Sequence, residues 1–179
     1  MGFLITSHGR TATKWLSWVM NHSLIWTVKH EPAEHPFEKP YYGEVNSTLK
    51  YTIKDLPGFV KLGIIDRDLK DVFTSFCNRR KDEHGRLHKL EELKTENKMF
   101  YEHQKKAVVI SFKRMTSELI YLQSLLDEFE IVDVTPRQDW LDQRINANPN
   151  IKYRTFEDLP DNLKEQFNKH QWLPLTHTL

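Results

Sequence analysis

The sequence predicts an α/β fold, with a three-layer α/β/α arrangement around a central, mostly parallel sheet. Two observations predict it. Short apolar runs typical of buried strands alternate with longer stretches in which apolar residues recur every three or four positions, as in helices. Strands that alternate with helices favour parallel strands joined by helical crossovers. The length of 179 residues suits one core, and we expect a single domain over residues 1–179.

The first half of the chain is expected to contain three strands and two helices. The strands are predicted at residues 2–6, 24–28 and 59–65, and the helices at 13–22 and 69–80. The second helix carries the clearest apolar stripe, formed by Leu69, Val72, Phe73, Phe76 and Cys77. Three prolines between residues 29 and 40 exclude a regular helix and predict a surface loop. Residues 41–58 show no clear pattern.

The second half continues the alternation. A charged turn at 81–86 contains a glycine and separates two helical stretches. The following segments are predicted as a polar helix at 87–106, a strand at 107–112, a strongly amphipathic helix at 116–129, a last strand at 131–134 and a helix at 161–170. The amphipathic helix is well supported because its leucines recur at helical spacing.

Composition excludes several classes of partner. The net charge is +1 and the basic residues are dispersed, so we expect no nucleic acid partner. No apolar run approaches the length of a membrane span, and we expect no membrane partner. Cys77 is the only cysteine, which excludes a disulfide framework, favours a reducing compartment and predicts a cytoplasmic location. Its place on an apolar stripe indicates a core residue.

The run from Phe3 to Leu16 joins a buried strand to a helix through a tight polar turn. Unpaired N–H groups and the helix dipole make such a helix start suitable for a phosphate or sulfate group. Side-chain donors for the same anion come from Arg10, Thr11, Thr13 and Lys14. The turn is not a Walker P-loop, because Thr13 precedes Lys14 and Trp15 follows it, so the hydroxyl that binds Mg²⁺ is missing. We expect chemistry that needs no metal.

A second strand-to-helix junction follows between Lys61 and Phe76. Arg67 lies at the end of the strand, and Ser75 lies two turns into the helix on the same face as Asp71. A guanidinium group supplies a planar fork of donors and a serine supplies one hydroxyl, so the two can converge on a single anion. This junction therefore predicts a second anion site.

The two motifs resemble the nucleotide-binding motifs of sulfotransferases that use 3′-phosphoadenosine 5′-phosphosulfate (PAPS). Residues 9–15, Gly-Arg-Thr-Ala-Thr-Lys-Trp, are similar to the 5′-phosphosulfate loop, with Gly9 in place of Pro and Ala12 in place of Gly. Arg67 and Ser75 stand at the separation seen in the 3′-phosphate motif of that family. The Asp-Val pair between them matches as well, whereas a leucine replaces the usual proline.

The resemblance implies a P-loop-like nucleotide-binding topology, PAPS as cofactor and adenosine 3′,5′-bisphosphate (PAP) as product. Arg10 would contact the bridging oxygen of the leaving group and take part in catalysis. The residues implied in nucleotide binding are His8, Gly9, Arg10, Thr11, Ala12, Thr13, Lys14, Trp15, Arg67 and Ser75. The expected reaction is in-line transfer of a sulfuryl group to a hydroxyl or amine acceptor.

A base is needed to take the proton of the acceptor. Glu31 follows the second strand, and the branch of the family that sulfates trehalose has a catalytic Glu at a similar distance from the loop. The cytosolic branch uses a His, which favours His30, although its His lies nearer the 3′-phosphate motif, at a spacing where Glu44 stands. We rank Glu31 first, His30 second and Glu44 third. Zinc is not expected at His30 and His35, because Pro32 prevents the helix that would align them.

The resemblance covers about residues 2–80 and thins beyond them, and the C-terminal Arg-Lys-Gly motif of cytosolic sulfotransferases is absent. The chain is short for the family, so we expect a small-molecule or glycan acceptor at a site that is open to solvent or completed by a second copy in a homodimer. Two other functions stay open: a P-loop kinase or nucleotide hydrolase, and a nucleotide-binding module without catalytic activity.

Overall fold

The structure is a computed structural model and describes residues 2–9, 11–47, 53–80, 82–143 and 151–179. In this part of the chain, five parallel strands form one sheet. The strands are β1 (Gly2–Ser7), β2 (Thr27–His30), β3 (Tyr42–Asn46), β4 (Val60–Asp66) and β5 (Ala107–Ser111). Their order across the sheet is β2-β3-β1-β4-β5. The mostly parallel sheet predicted from the sequence is confirmed.

Helices cover both faces of the sheet. They are α1 (Thr13–Met20), α2 (Leu69–Cys77), α3 (Glu83–His103), α4 (Phe112–Met115), α5 (Leu119–Glu128), α6 (Gln138–Leu141) and α7 (Asp161–Asn168). Phe3 and Ile5 of β1 pack with α1 and α5 on one face, whereas Leu4 packs with Phe100 of α3 on the other. Successive strand residues point to opposite faces, so β1 is buried on both sides and the three-layer arrangement is confirmed.

A third apolar cluster fastens α2, α3 and α7 to one another. Phe73 of α2 stacks on Phe167 of α7 with ring centroids 5.4 Å apart, and Leu90 of α3 joins the same cluster. Cys77 is buried in this cluster, as predicted. Burial raises the pKa of the Cys77 thiol to about 11, so the thiol stays protonated at neutral pH.

Several predicted boundaries differ from the structure. The second strand lies at 27–30 rather than 24–28. The amphipathic helix predicted at 116–129 is α5 at 119–128, and the short α4 at 112–115 precedes it. The segment 131–134 is not a strand. Its Asp133 instead accepts hydrogen bonds from Ser23 Oγ (2.8 Å) and Leu24 N (2.7 Å), which ties the segment to the turn before β2.

The strand β3 has no counterpart among the predicted elements. Its centre holds Gly43 and Glu44, two residue types that are depleted in strands. Gly43 is required by its neighbour, because a Cβ atom there would lie 2.1 Å from the Phe3 ring. The strand therefore depends on a packing contact that the local sequence does not reveal.

The order of the strands places a ligand site at one edge of the sheet. From β1 the chain builds β2 and β3 on one side, and it then crosses to build β4 and β5 on the other. In open parallel sheets, ligands bind beyond the carboxyl ends of the strands at the point where the order reverses. That point lies where β1 meets β3 and β4.

Candidate functional site

A cleft of about 1110 Å³ opens at the carboxyl ends of the strands. The segments after β1, β2, β3 and β4 line it, and α3 forms one of its walls. Pockets for small molecules and cofactors usually hold roughly 300–1,000 Å³. The cleft is therefore large enough for a nucleotide together with a second molecule.

The loop between β1 and α1 has an unusual backbone. Gly9 has a φ of 75° and Ala12 has a φ of 56°, both in the left-handed region. Ala12 stands at the N-cap of α1, and its side chain makes no capping hydrogen bond. A residue with a Cβ costs about 1–2 kcal/mol in this conformation. Strain of this kind is typical of sites where the backbone itself must face a ligand.

Buried polar groups lie beneath this loop. Ser7 Oγ accepts a hydrogen bond from Gly9 N at 3.2 Å and so shapes the turn. Among the described residues, Thr11 Oγ1 and both ring nitrogens of His8 have no hydrogen-bond partner, although both side chains are buried. The charged partner nearest to His8 is Glu96, whose Oε2 lies 3.4 Å from Nδ1, within ion-pair distance. Buried polar groups without partners are rare and usually mark a place for water or a ligand.

The first turn of α1 contributes three residues to the cleft. Thr13 Oγ1 lies 3.2 Å from Nε2 of His30, and Lys14 is exposed. Trp15 also lines the cleft, but its indole is buried and Nε1 donates to the carbonyl of Trp140 at 2.9 Å. Trp15 therefore also anchors α1 in the core.

Arg67 enters the cleft from the end of β4. Its guanidinium group lies over the ring of Phe112, 4.5 Å from the centroid, and Nη2 is 4.0 Å from Asp71 Oδ2. Burial lowers the pKa of Arg67, and the Asp71 and Asp68 carboxylates offset part of that effect. An arginine stays protonated under these conditions. Ser75 is half-buried on α2 and is not among the residues that line the cleft.

His30 and Glu31 reach the cleft from the end of β2. Glu31 has a φ of 48°, and its Oε1 accepts a hydrogen bond from Ser47 Oγ, at the end of β3. Burial is the main cause that lowers the pKa of His30, Lys14 lowers it further, and Glu31 opposes the shift. His30 is therefore mostly neutral at pH 7.

Glu44, the third candidate for the base, lies outside the cleft. It is buried in β3 and is not among the residues that line the cleft. Its carboxylate lies 2.8 and 2.9 Å from Nδ1 of His35 and accepts a hydrogen bond from the Tyr42 hydroxyl at 3.0 Å. Burial, followed by the charge of Glu44, raises the pKa of Tyr42. These contacts fasten the proline-rich loop to β3. Glu44 therefore braces the fold, and the sequence-based suggestion of a base at this position finds no support.

Sequence reasoning missed a large part of the cleft. Ser47, Phe76, Arg79 and Phe112 all line it, and so does one face of α3. The sequence predicts Phe76 only as part of an apolar stripe. In the structure its ring lies next to the β1–α1 loop, 3.2 Å from where a Cβ on Gly9 would stand. The available signal is the row of polar residues at helical spacing on α3, which by sequence alone predicts only a polar helix. The predicted catalytic residue Arg10 lies outside the described residues.

Among the described residues, no group of three or more His, Cys, Asp or Glu side chains is arranged so that it could hold a metal ion. None of the described helices is long and apolar enough to cross a membrane.

Comparisons with known proteins show the fold and little beyond it. No protein-family model matches the chain, and no curated protein matches it. Among solved structures, the crystal structure of mouse sulfotransferase SULT7A1 complexed with PAP is similar, with a TM-score of 0.57 and 14% sequence identity. The match covers 94% of this chain and 81% of the mouse chain. The two chains therefore share their α/β architecture, and the P-loop-like topology expected from the sequence agrees with it.

Proposed function

We propose that this protein is a sulfotransferase that moves a sulfuryl group from PAPS to a hydroxyl or amine acceptor. One observation carries the proposal: the loop after β1 and Arg67 after β4, predicted separately as anion sites, line the same cleft. A nucleotide with phosphate groups at both its 5′ and 3′ positions needs two such sites. The shared fold with a sulfotransferase crystallised with PAP supports this reading.

The residues of the cleft suit such a nucleotide. At the start of α1, no side chain caps the helix, and the Thr11 hydroxyl is buried without a partner among the described residues. We assign the 5′-phosphate to this loop, with Lys14 as the counter-charge, and the 3′-phosphate to Arg67. His8, Gly9, Thr13, Trp15 and Ser75 stay predictions as nucleotide-binding residues, and so does Arg10 as a contact of the leaving group. When bound, PAPS supplies an activated sulfuryl group and a stable leaving group.

Glu31 is the preferred base. Ser47 donates to Oε1 of Glu31, so Oε2 is left to take a proton from the acceptor. The left-handed backbone of Glu31 is consistent with a side chain held for function. His30 is the alternative, since its lowered pKa keeps a neutral nitrogen at pH 7. Comparing Glu31→Gln with His30→Gln in single-turnover transfer would separate the two, because only loss of the base should lower the rate without weakening PAP binding.

The test of the proposed function is a binding measurement. Isothermal titration calorimetry would compare PAP with ADP and ATP, each with and without Mg²⁺. We expect PAP to bind most tightly and independently of Mg²⁺. Arg67→Ala should weaken PAP at least tenfold and leave ADP nearly unchanged, because ADP has no 3′-phosphate.

The matched control is Arg137→Ala, which removes an exposed arginine paired with Asp139 and away from the cleft. It should leave PAP binding unchanged. Preference for ATP with Mg²⁺ would contradict the proposal and favour a kinase or hydrolase. PAP binding without transfer to any acceptor would favour a binding module. The cytoplasmic location and the homodimer stay predictions.

A further inference from the structure

The helix α3 turns a polar face toward the cleft. Six polar residues on this face line the cleft: His88, Lys89, Glu91, Glu92, Thr95 and Glu96. Met99 is the only apolar residue that α3 adds to the lining. The buried face of the same helix, which includes Leu90, Leu93 and Phe100, packs against the protein instead. The polar wall is therefore part of the cavity, rather than a free solvated surface.

The polar wall extends from the mouth of the cleft to its floor. The side chains of His88 and Glu91 are 66% and 69% exposed, whereas those of Lys89 and Glu96 are each 22% exposed. Glu92 lies between them and pairs with both His88, at 3.1 Å, and Lys89. Between its mouth and its floor, the wall thus offers three carboxylates, one ammonium group, one imidazole and one hydroxyl.

At the inner end, the wall meets the buried histidine of the loop. Glu96 Oε2 lies 3.4 Å from His8 Nδ1, and neither ring nitrogen of His8 has a hydrogen-bond partner among the described residues. His8 itself lines the cleft. His8 belongs to the β1–α1 loop rather than to α3, and it shows that the floor of the cleft has hydrogen-bonding capacity that the described residues leave unused.

The chemistry of the wall discriminates between classes of acceptor. An apolar phenol or sterol would remove water from these charged and hydroxyl groups and return no hydrogen bonds, which is costly. A molecule dense in hydroxyl groups would replace the lost water bonds one for one. With three carboxylates and one lysine, the wall disfavours a strongly anionic acceptor.

We propose that the acceptor is a polyhydroxylated molecule of the carbohydrate class and that the α3 wall is its binding surface. This inference rests on the proposed sulfotransferase function. Glu92 and Thr95 act as specificity-determining residues, because both line the cleft on α3 between His88 and Glu96. The Thr95 hydroxyl donates to the carbonyl of Glu91 at 3.0 Å, so it offers an acceptor to a substrate hydroxyl. The nucleotide is held beside the wall by the β1–α1 loop and Arg67, and the two parts of the cleft meet where His8 contacts Glu96.

The first experiment compares acceptor classes. Wild-type protein with ³⁵S-labelled PAPS would be incubated with a printed array of oligosaccharides and, in parallel, with 2-naphthol and p-nitrophenol. We expect transfer to at least one saccharide with a kcat/KM at least tenfold above that for either phenol. Faster transfer to a phenol would overturn the inference and leave the proposed function intact. Absence of PAP binding, or PAP binding without transfer to either class, would instead contradict the proposed function and the inference with it.

The second experiment tests the wall with substitutions. Thr95→Leu and Glu92→Leu should each lower kcat/KM for the best saccharide about tenfold and raise it for 2-naphthol, with PAP affinity unchanged within twofold. Glu102→Leu is the matched control, since Glu102 is exposed on α3 but does not line the cleft. Equal changes of kcat/KM in Glu92→Leu and Glu102→Leu would overturn the proposed role of the α3 wall in acceptor binding. Circular dichroism and PAP titration identify any variant that is misfolded. If Thr95→Leu is misfolded, Thr95→Val takes its place.

Discussion

The two junctions that line the cleft, β1–α1 and β4–α2, are proposed anion sites that are built in different ways. At β1–α1, Ala12 leaves the helix start without a side-chain cap and holds a left-handed backbone. At β4–α2, Asp68 caps the helix with a 2.7 Å hydrogen bond from Lys70 N, and Asp71 adds a second carboxylate to the first turn. The first N–H groups of α1 are open to a bound anion, whereas at the start of α2 the Asp68 side chain already accepts a hydrogen bond from the backbone.

Under the proposed function, this difference gives Arg67 its role. Because Asp68 and Asp71 use the helix start of α2, an anion there must be bound by a side chain, and Arg67 is held for this by Phe112. At β1–α1 the backbone N–H groups can bind the anion themselves, so the side chains of Thr11 and Lys14 only add to that binding. We expect the first junction to depend on backbone geometry and the second on one guanidinium group.

The largest expected effect concerns that guanidinium group. Arg67→Lys should weaken PAP binding about 10–100-fold, since a lysine lacks the planar fork and stacks less well on Phe112. Lys14→Arg should change PAP affinity less than threefold, because a single counter-charge suffices there. Isothermal titration calorimetry measures both. Equal losses in the two variants would show that the junctions do not differ in this way.

The next effect concerns the loop backbone. Gly9→Ala should lower the free energy of unfolding by about 1–2 kcal/mol, because Gly9 has a φ of 75° and the new Cβ would lie 3.2 Å from the Phe76 ring. Thermal unfolding measures the loss. Gly58→Ala is the control, since nothing lies within 4 Å of a Cβ at Gly58. A stable Gly9→Ala variant with normal PAP affinity would contradict the importance of this backbone.

The cap of α2 should matter for stability and little for ligand binding. Asp68→Ala should lower the free energy of unfolding by about 1 kcal/mol, the usual value of an N-cap side chain. Asp68→Asn keeps a capping oxygen and should be nearly neutral. Urea unfolding followed by circular dichroism measures both variants. Should Asp68→Ala abolish PAP binding while stability is unchanged, the carboxylate would belong to the site rather than to the helix.

A smaller effect is expected at Ala12. Ala12→Gly should raise the free energy of unfolding by about 0.5 kcal/mol, because relief of the left-handed strain exceeds the added backbone entropy of glycine in the unfolded chain. PAP affinity should stay the same or increase. Thermal unfolding and calorimetry measure the two quantities. A destabilised Ala12→Gly variant would mean that the backbone at Ala12 is not strained.

The smallest effect is a pH dependence at His30. Its pKa is lowered in the folded protein, so between that pKa and about 6.5 the unfolded chain binds more protons than the folded one. The contribution of His30 to the free energy of unfolding is complete above about pH 6.5. It is lost as the pH falls toward the pKa that His30 has in the folded protein. His30→Gln should therefore lose less stability than the wild type between pH 7.5 and 5.5 in urea unfolding. Parallel curves for the two proteins would contradict the shift.

Local patterns were enough to predict the fold class and both junctions. Apolar runs of strand length ending in polar turns located β1 and β4, and the stripe from Leu69 to Cys77 located α2. These signals are short-range, since a strand or helix is encoded by the spacing of its own residues. For the same reason the sequence alone placed Thr11, Lys14, Arg67, His30 and Glu31 at element ends, where the structure has them line one cleft.

Only the tertiary structure decided which of these ends face each other and what stands opposite them. The strand β3 depends on the fit of Gly43 against Phe3, and it buries Glu44 against His35 instead of presenting a base. The polar face of α3 became a cavity wall because its other face packs on distant parts of the chain. These contacts join different elements and loops, most of them far apart in sequence, and no local spacing encodes them. Sequence determined the elements and their ends, and packing determined the shape of the site.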